Sequence, residues 1–144
     1  MTDAAPSSVT PAYGAATIVT ALAAVVQLVL AGMKVVEGIG VLQGTSDNMA
    51  HLSGWIVVIA GSGGILIGLL LVVAAILARR RPHGAQPIAI VALVLTVLGS
   101  GAWILLTNSW GMHRPVLEVP GTVIGVALAV GAVVLLSRAM RARG

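Results

Sequence analysis

Cysteine and phenylalanine are absent from this chain, tyrosine occurs once, and charged residues make up only 8% of it. Each shortage excludes something. Without cysteine there is no disulfide, thiolate metal centre, cysteine nucleophile or lipidated cysteine. A soluble domain carries about 25% charged residues, so a chain this poor in charge cannot clothe itself in a water-facing shell. Acids are scarcest: four in all, Asp3, Glu37, Asp47 and Glu118, against eight Lys and Arg. The net charge of +4 does not argue for nucleic acid, because the basic residues sit at the ends of apolar runs, where a topology signal explains them. The sequence has no phosphate-binding Walker loop, no dinucleotide fingerprint, no HExxH, no Ser/His/Asp arrangement and no His pair suited to haem, so it is read as no enzyme, with no cofactor and no metal.

What is present is hydrophobicity. Apolar residues make up 58% of the 144, the mean hydropathy is +1.08, and the charges fall in short islands between four long apolar runs. A spanning helix needs about 20 apolar residues to cross roughly 30 Å of hydrocarbon. The expectation is an all-α polytopic membrane protein: a four-helix transmembrane bundle over residues 12–140, with helices at about 12–42, 54–78, 87–107 and 120–138. Residues 1–11 read as a disordered cytoplasmic tail and 141–144 as a basic tail. The first segment lacks the basic start of a signal peptide. Residues 43–53 read as a polar turn region, 79–86 as a break, and Pro87 as the first turn of the third helix.

Orientation follows from charge. Arg79, Arg80 and Arg81 share one loop with four spans placing it beside Arg138, Arg141 and Arg143. The positive-inside bias makes that side cytoplasmic, hence N-in/C-in. Arg114, and Lys34 at its boundary, are the basic residues expected on the other side. Trp55, Trp103 and Trp110 near the outer ends, and Tyr13 at the inner start, fit the interfacial preference of these rings.

Packing in lipid relies on small residues and a few hydrogen bonds, and each run carries such a face. Helix one offers Thr17, Thr20, Ala24, Gln27, Ala31, Lys34 and Gly38. Helix two offers Gly61, Gly64, Gly68 and Ala75, including Ala60-x3-Gly64-x3-Gly68. Helix three offers Ala89, Ala92, Thr96, Gly99 and Trp103, and helix four Gly121, Gly125, Ala129 and Ala132. These read as internal packing first and as partner contacts second.

Three residues stand out for chemistry. Gln27 lies mid-membrane, where an unpaired amide is costly. An interhelical hydrogen bond is the plain reading and a ligand or ion contact the sharper one. Lys34 and Glu37 stand three residues apart on one face. By counting from Ala12, Lys34 reaches the outer interface and can snorkel. An interfacial ion pair is the plain reading; a partner contact or cation handling are the others. Asp47, His51, His113, Arg114 and Glu118 lack the spacing of any metal motif.

The bias towards Ala, Val, Gly and Leu, with Arg over Lys, is that of a GC-rich genome. Together with GGILIGLLLVVAAILARRRPHGAQP and GTVIGVALAVGAVVLLSRAMRARG, it resembles the small four-helix integral membrane proteins of actinobacteria. LVLAGMKVVEGIG and GSGGILIGLLL are also similar to DoxX-like proteins, and that resemblance carries over no functional residue. Small multidrug exporters differ, since their glutamate lies deep in helix one.

The expected role is a non-enzymatic accessory subunit of a larger bacterial inner-membrane complex, respiratory or transport. Its expected partners are the lipid bilayer and other integral membrane subunits, with no nucleic acid and no identified small-molecule substrate. A small oligomeric transporter or channel, and a holin-like pore, are the alternatives.

Overall fold

The computed structural model describes residues 11–44, 46–109 and 118–141. The N-terminal tail, Trp110, His113, Arg114 and Arg143 lie outside the described residues, as do the side chains of Tyr13 and Glu118. Four helices follow one another: α1 (Pro11–Gly44), α2 (Asn48–Arg80), α3 (Pro82–Ser109) and α4 (Glu118–Arg141). All four are long and apolar enough to cross a membrane. Each packs antiparallel on its neighbour in sequence, and α4 returns to α1. One end of the bundle carries Arg79, Arg80, Arg81, Arg138 and Arg141 and is called the arginine end; the α1–α2 turn marks the hairpin end.

Two helix starts differ from the sequence reading. The second helix begins at Asn48 rather than near residue 54, because Asp47 caps it. The Asp47 backbone is extended (φ −81°, ψ 127°), and its carboxylate accepts from the Met49 N–H. An aspartate at this position satisfies an otherwise orphaned first-turn donor, so most of the expected polar turn is helix. The third helix begins at Pro82, and Pro87 lies inside it. Proline is favoured at the first helical position. The extra turn also puts Ala85 into the core at 0% exposure. Only Arg81 separates α2 from α3; its N–H donates to the Leu77 carbonyl, and its own carbonyl accepts from Gly84.

The interior is small and the exterior large. Ala16, Ala74, Ala85, Ala92 and Ala132 are fully buried, and the largest fully buried side chains are Leu71, Leu136 and Thr20. Ile18, Leu22, Val25 and Val29 of α1, with Ile59, Leu66 and Leu69 of α2, lie exposed on the outside. A protein in water buries its large aliphatics. In lipid, tails are as apolar as leucine, so helices gain by close approach of small residues instead.

The α1–α2 seam shows this most clearly. Gly54, Val57, Gly61, Gly64, Gly68, Leu71, Ala75 and Ala78 alternate at spacings of three and four along α2, the period that holds a left-handed pair in register. A Cβ on Gly61 would stand 2.9 Å from the Ala31 carbonyl oxygen and 2.9 Å from the Val35 nitrogen. A Cβ on Gly38 would stand 2.9 Å from the Val58 nitrogen. At these two crossings backbone meets backbone and only glycine fits. Of the Ala60-x3-Gly64-x3-Gly68 series, Gly64 and Gly68 lie in the seam, while Ala60 lines the space shared with α3.

Tightness is uneven along the bundle. Ala16, Ala74, Ala78, Ala85, Ala89 and Leu136 form one buried cluster, and Ala23, Ala24, Leu71 and Ala92 form the next. Both belong to the arginine half. Gln86 ties α3 to α4 there, its amide donating to the Ser137 hydroxyl at 3.2 Å. Around Gly99 and Gly101 in the hairpin half, α3 stands away from its neighbours, before Thr107 is buried again at 2% exposure. Gly99 and Gly101 meet nothing within 4 Å of a would-be Cβ, so Gly99 does not belong to the packed face expected of it. The physical cause is bulk: Lys34 and Trp103 occupy the space between α1 and α3.

Candidate functional site

Because α1 and α3 each run antiparallel to α2 they run parallel to one another, which puts Lys34 of α1 level with Trp103 of α3. The Lys34 ammonium lies over the indole, 4.6 Å from the ring centroid. An ammonium over a tryptophan face within about 6 Å is a cation–π contact, worth about 0.5–2 kcal/mol according to desolvation. It joins helices that otherwise scarcely touch across the bundle diagonal. The Trp103 Nε1 is buried and has no hydrogen-bond partner among the described residues. Glu37, the partner expected of Lys34 from spacing, is exposed on the outer surface.

The Lys34–Trp103 contact borders a cavity of about 490 Å³ between α1, α2 and α3. From α1 come Gln27 and Lys34; from α2, Ile56, Ile59, Ala60, Gly63, Gly64 and Ile67; from α3, Thr96, Gly99, Ser100, Ala102, Trp103 and Leu106. A smaller space of about 50 Å³ lies on the α4 side of the same pair, against Ser100, Ile104, Val119, Thr122 and Val123. Lys34 and Trp103 thus form a partition between the two.

Gln27 faces the larger cavity beside Gly64, its amide nitrogen 3.3 Å from where a Gly64 Cβ would stand. No hydrogen bond to another helix holds this amide among the described residues. Thr96 is committed to its own helix, its hydroxyl donating to the Ala92 carbonyl at 2.7 Å. Thr20 does the same to Ala16, at 2.7 Å and 0% exposure, and takes no part in the cavity. The polar lining is therefore Lys34 at one end, Gln27 at the other, and Ser100 and Thr96 between. Among the described residues that line it, Lys34 is the only ionisable one.

Comparison with protein-family models, curated proteins and solved structures finds no match.

The remaining residues singled out from sequence fall elsewhere. Gly61 and Gly68 face α1. Gly121 approaches Leu30 across the α1–α4 contact, where a Cβ would meet the movable Cδ2 at 2.7 Å; at Gly125 a Cβ would find ordinary contact with Val26 at 3.7 Å. Arg79, Arg80, Arg138 and Arg141 occupy the last turns of α2 and α4. Among the described residues no group of three or more His, Asp or Glu could hold a metal. The sequence reading missed the Lys34–Trp103 contact. The signal was there, since counting equal depths from the arginine end puts both residues on one level.

Proposed function

We propose that this chain is a non-enzymatic subunit of a larger assembly in the bacterial inner membrane, oriented N-in/C-in. The observation that carries the reading is the overhang of the α1–α2 hairpin. With the arginines at one hydrocarbon edge, about 20 residues of helix reach the other. That edge falls near Lys34, residue 60 and Trp103. The 33 residues of α2 run some 20 Å longer than the hydrocarbon is thick. Between its exposed polar residues Glu37, Gln43, Asn48 and His51 the projecting part carries large apolar ones: Val36 and Met49 are each 71% exposed, and Leu52 and Trp55 lie open beside them. An apolar surface held beyond the hydrocarbon calls for a cover, and a neighbouring subunit supplies one. The positive-inside bias of the arginine end supports the orientation.

The test is extraction in mild detergent, native electrophoresis and mass spectrometry, with Val36→Lys and Met49→Lys alongside the unaltered chain. The expected result is co-migration with a defined complex, lost in the two variants while the bundle stays folded. Migration alone in all three would overturn the reading.

A transporter is the second reading, and the cavity is what favours it. As a pathway, however, it ends half-way: the cluster of Ala23, Ala24, Leu71 and Ala92 closes it towards the arginine end.

A further inference from the structure

We infer that the outer groove between α1 and α2 in the arginine half seats an anionic phospholipid, its phosphate on Arg79 and one acyl chain in the groove. This does not depend on the subunit reading. Size does not single the groove out, since it holds about 320 Å³ and spaces of about 490 and 460 Å³ lie elsewhere between the helices. Its length, position and charge do.

The seam sets the register. Gly68 stands against Leu28, so α2, running antiparallel, carries Arg79 level with Thr17. Between these two levels the helices leave a trough. Its floor is small, with Ala24 and Ala75 buried at 2% and 8% exposure, and its walls face outward, with Val25 at 57% and Ile76 at 52%. From Arg79 at the hydrocarbon edge to the level of Leu28 is about 11 residues of helix, or some 16 Å. That is about half of a hydrocarbon core roughly 30 Å thick, the depth of one leaflet. Arg79 lines the groove at its outer end, the level of a lipid phosphate in that leaflet. A guanidinium holds a phosphate through two parallel N–H donors. The charge of the whole end is one-sided. Arg80, Arg81, Arg138 and Arg141 share it with Arg79, whereas Glu37, Asp47 and Glu118 lie in the hairpin half. Residues 1–10 hold one acid, Asp3. A single carboxylate cannot neutralise these arginines, so the end stays cationic and favours an anionic lipid over a zwitterionic one. Among the described residues, no charged one lines the space between α3 and α4.

The chain has no cysteine, so one introduced cysteine places one fluorophore. The experiment uses the full chain with a label at Val73→Cys, exposed beside the groove, or at Val91→Cys, exposed at similar depth on α3. Each is reconstituted in vesicles of phosphatidylcholine and phosphatidylglycerol, one or the other bearing a nitroxide on its acyl chain as contact quencher. Quenching at Val73 should favour phosphatidylglycerol about fivefold more than quenching at Val91 does, the attraction of one arginine near an anionic surface. Arg79→Gln should remove that difference, Arg79→Lys should keep most of it, and Arg141→Gln should leave it. Ala21→Leu, which fills the groove from an exposed position, should remove it with every charge in place. Equal preference at Val73 and Val91 would mean diffuse attraction to the arginine end and overturn the proposal. A difference that survives Arg79→Gln or Ala21→Leu would overturn it as well.

Discussion

Replacing Gly61 and Gly63 by alanine, one at a time, tests the α1–α2 seam directly. The two glycines lie two residues apart on one helix, and the substitutions are chemically identical. At Gly61 the new methyl would stand 2.7 Å from Val35 Cγ2 and 2.9 Å from both the Ala31 carbonyl oxygen and the Val35 nitrogen. Ordinary contact begins at about 3.5 Å, so the helices must part by some tenths of an ångström along a rigid backbone crossing. Overpacking of this kind costs about 1–3 kcal/mol. At Gly63 the methyl meets nothing within 4 Å, and the gain in helix propensity, up to about 1 kcal/mol, is all that remains. The expected gap between the variants is about 1–4 kcal/mol, some 5- to 1,000-fold in the unfolding equilibrium. Reversible unfolding by steric trapping in bicelles reads it. Equal shifts at the two positions would refute the close-approach argument, whatever their sign.

Three further outcomes are expected. A double-mutant cycle on Gln86→Leu and Ser137→Ala should return a coupling of about 0.6 kcal/mol and not above about 1.7, since the 3.2 Å bond between them joins α3 to α4; zero coupling by the same unfolding assay would dismiss the bond. Asp47→Ala should cost about 0.5–2 kcal/mol locally and speed amide exchange at Met49 and its neighbours, with no change beyond Ile59. Converting Arg79, Arg80 and Arg81 together to alanine leaves Arg138 and Arg141 in the last turn of α4, with Arg143 beyond it in the sequence, to set orientation. Reporter fusions after Gly144 should then divide between the two sides; an undivided cytoplasmic signal would mean that Arg138, Arg141 and Arg143 suffice.

Much of the fold was legible because lipid imposes a single, one-dimensional rule. Each span must be about 20 residues of apolar helix with its backbone paired internally, and the four runs obey it. The small-residue faces of α1, α2 and α4 were legible for the same reason, as Ala31, Gly61, Gly68, Ala129 and Ala132 show. Helix starts were harder to read. Asp47 signalled a cap within a stretch otherwise composed like a turn, and Pro82 competed with Pro87 for the same role.

The amino-acid sequence by itself determined the four spans, the inverted pattern of small inside and large outside, and the gathering of arginine at one end. Those depend on residue type and spacing along a single chain. Only the tertiary structure decided which glycines are obligatory, because that depends on the backbone of another helix lying within 3 Å of where a Cβ would stand on Gly38 and Gly61 but not on Gly63 or Gly99. It also decided the meaning of Lys34. In sequence its neighbour is Glu37, three residues on. In space α3 brings Trp103 beneath its ammonium, and two side chains too large for an alanine core hold the hairpin half of the bundle open.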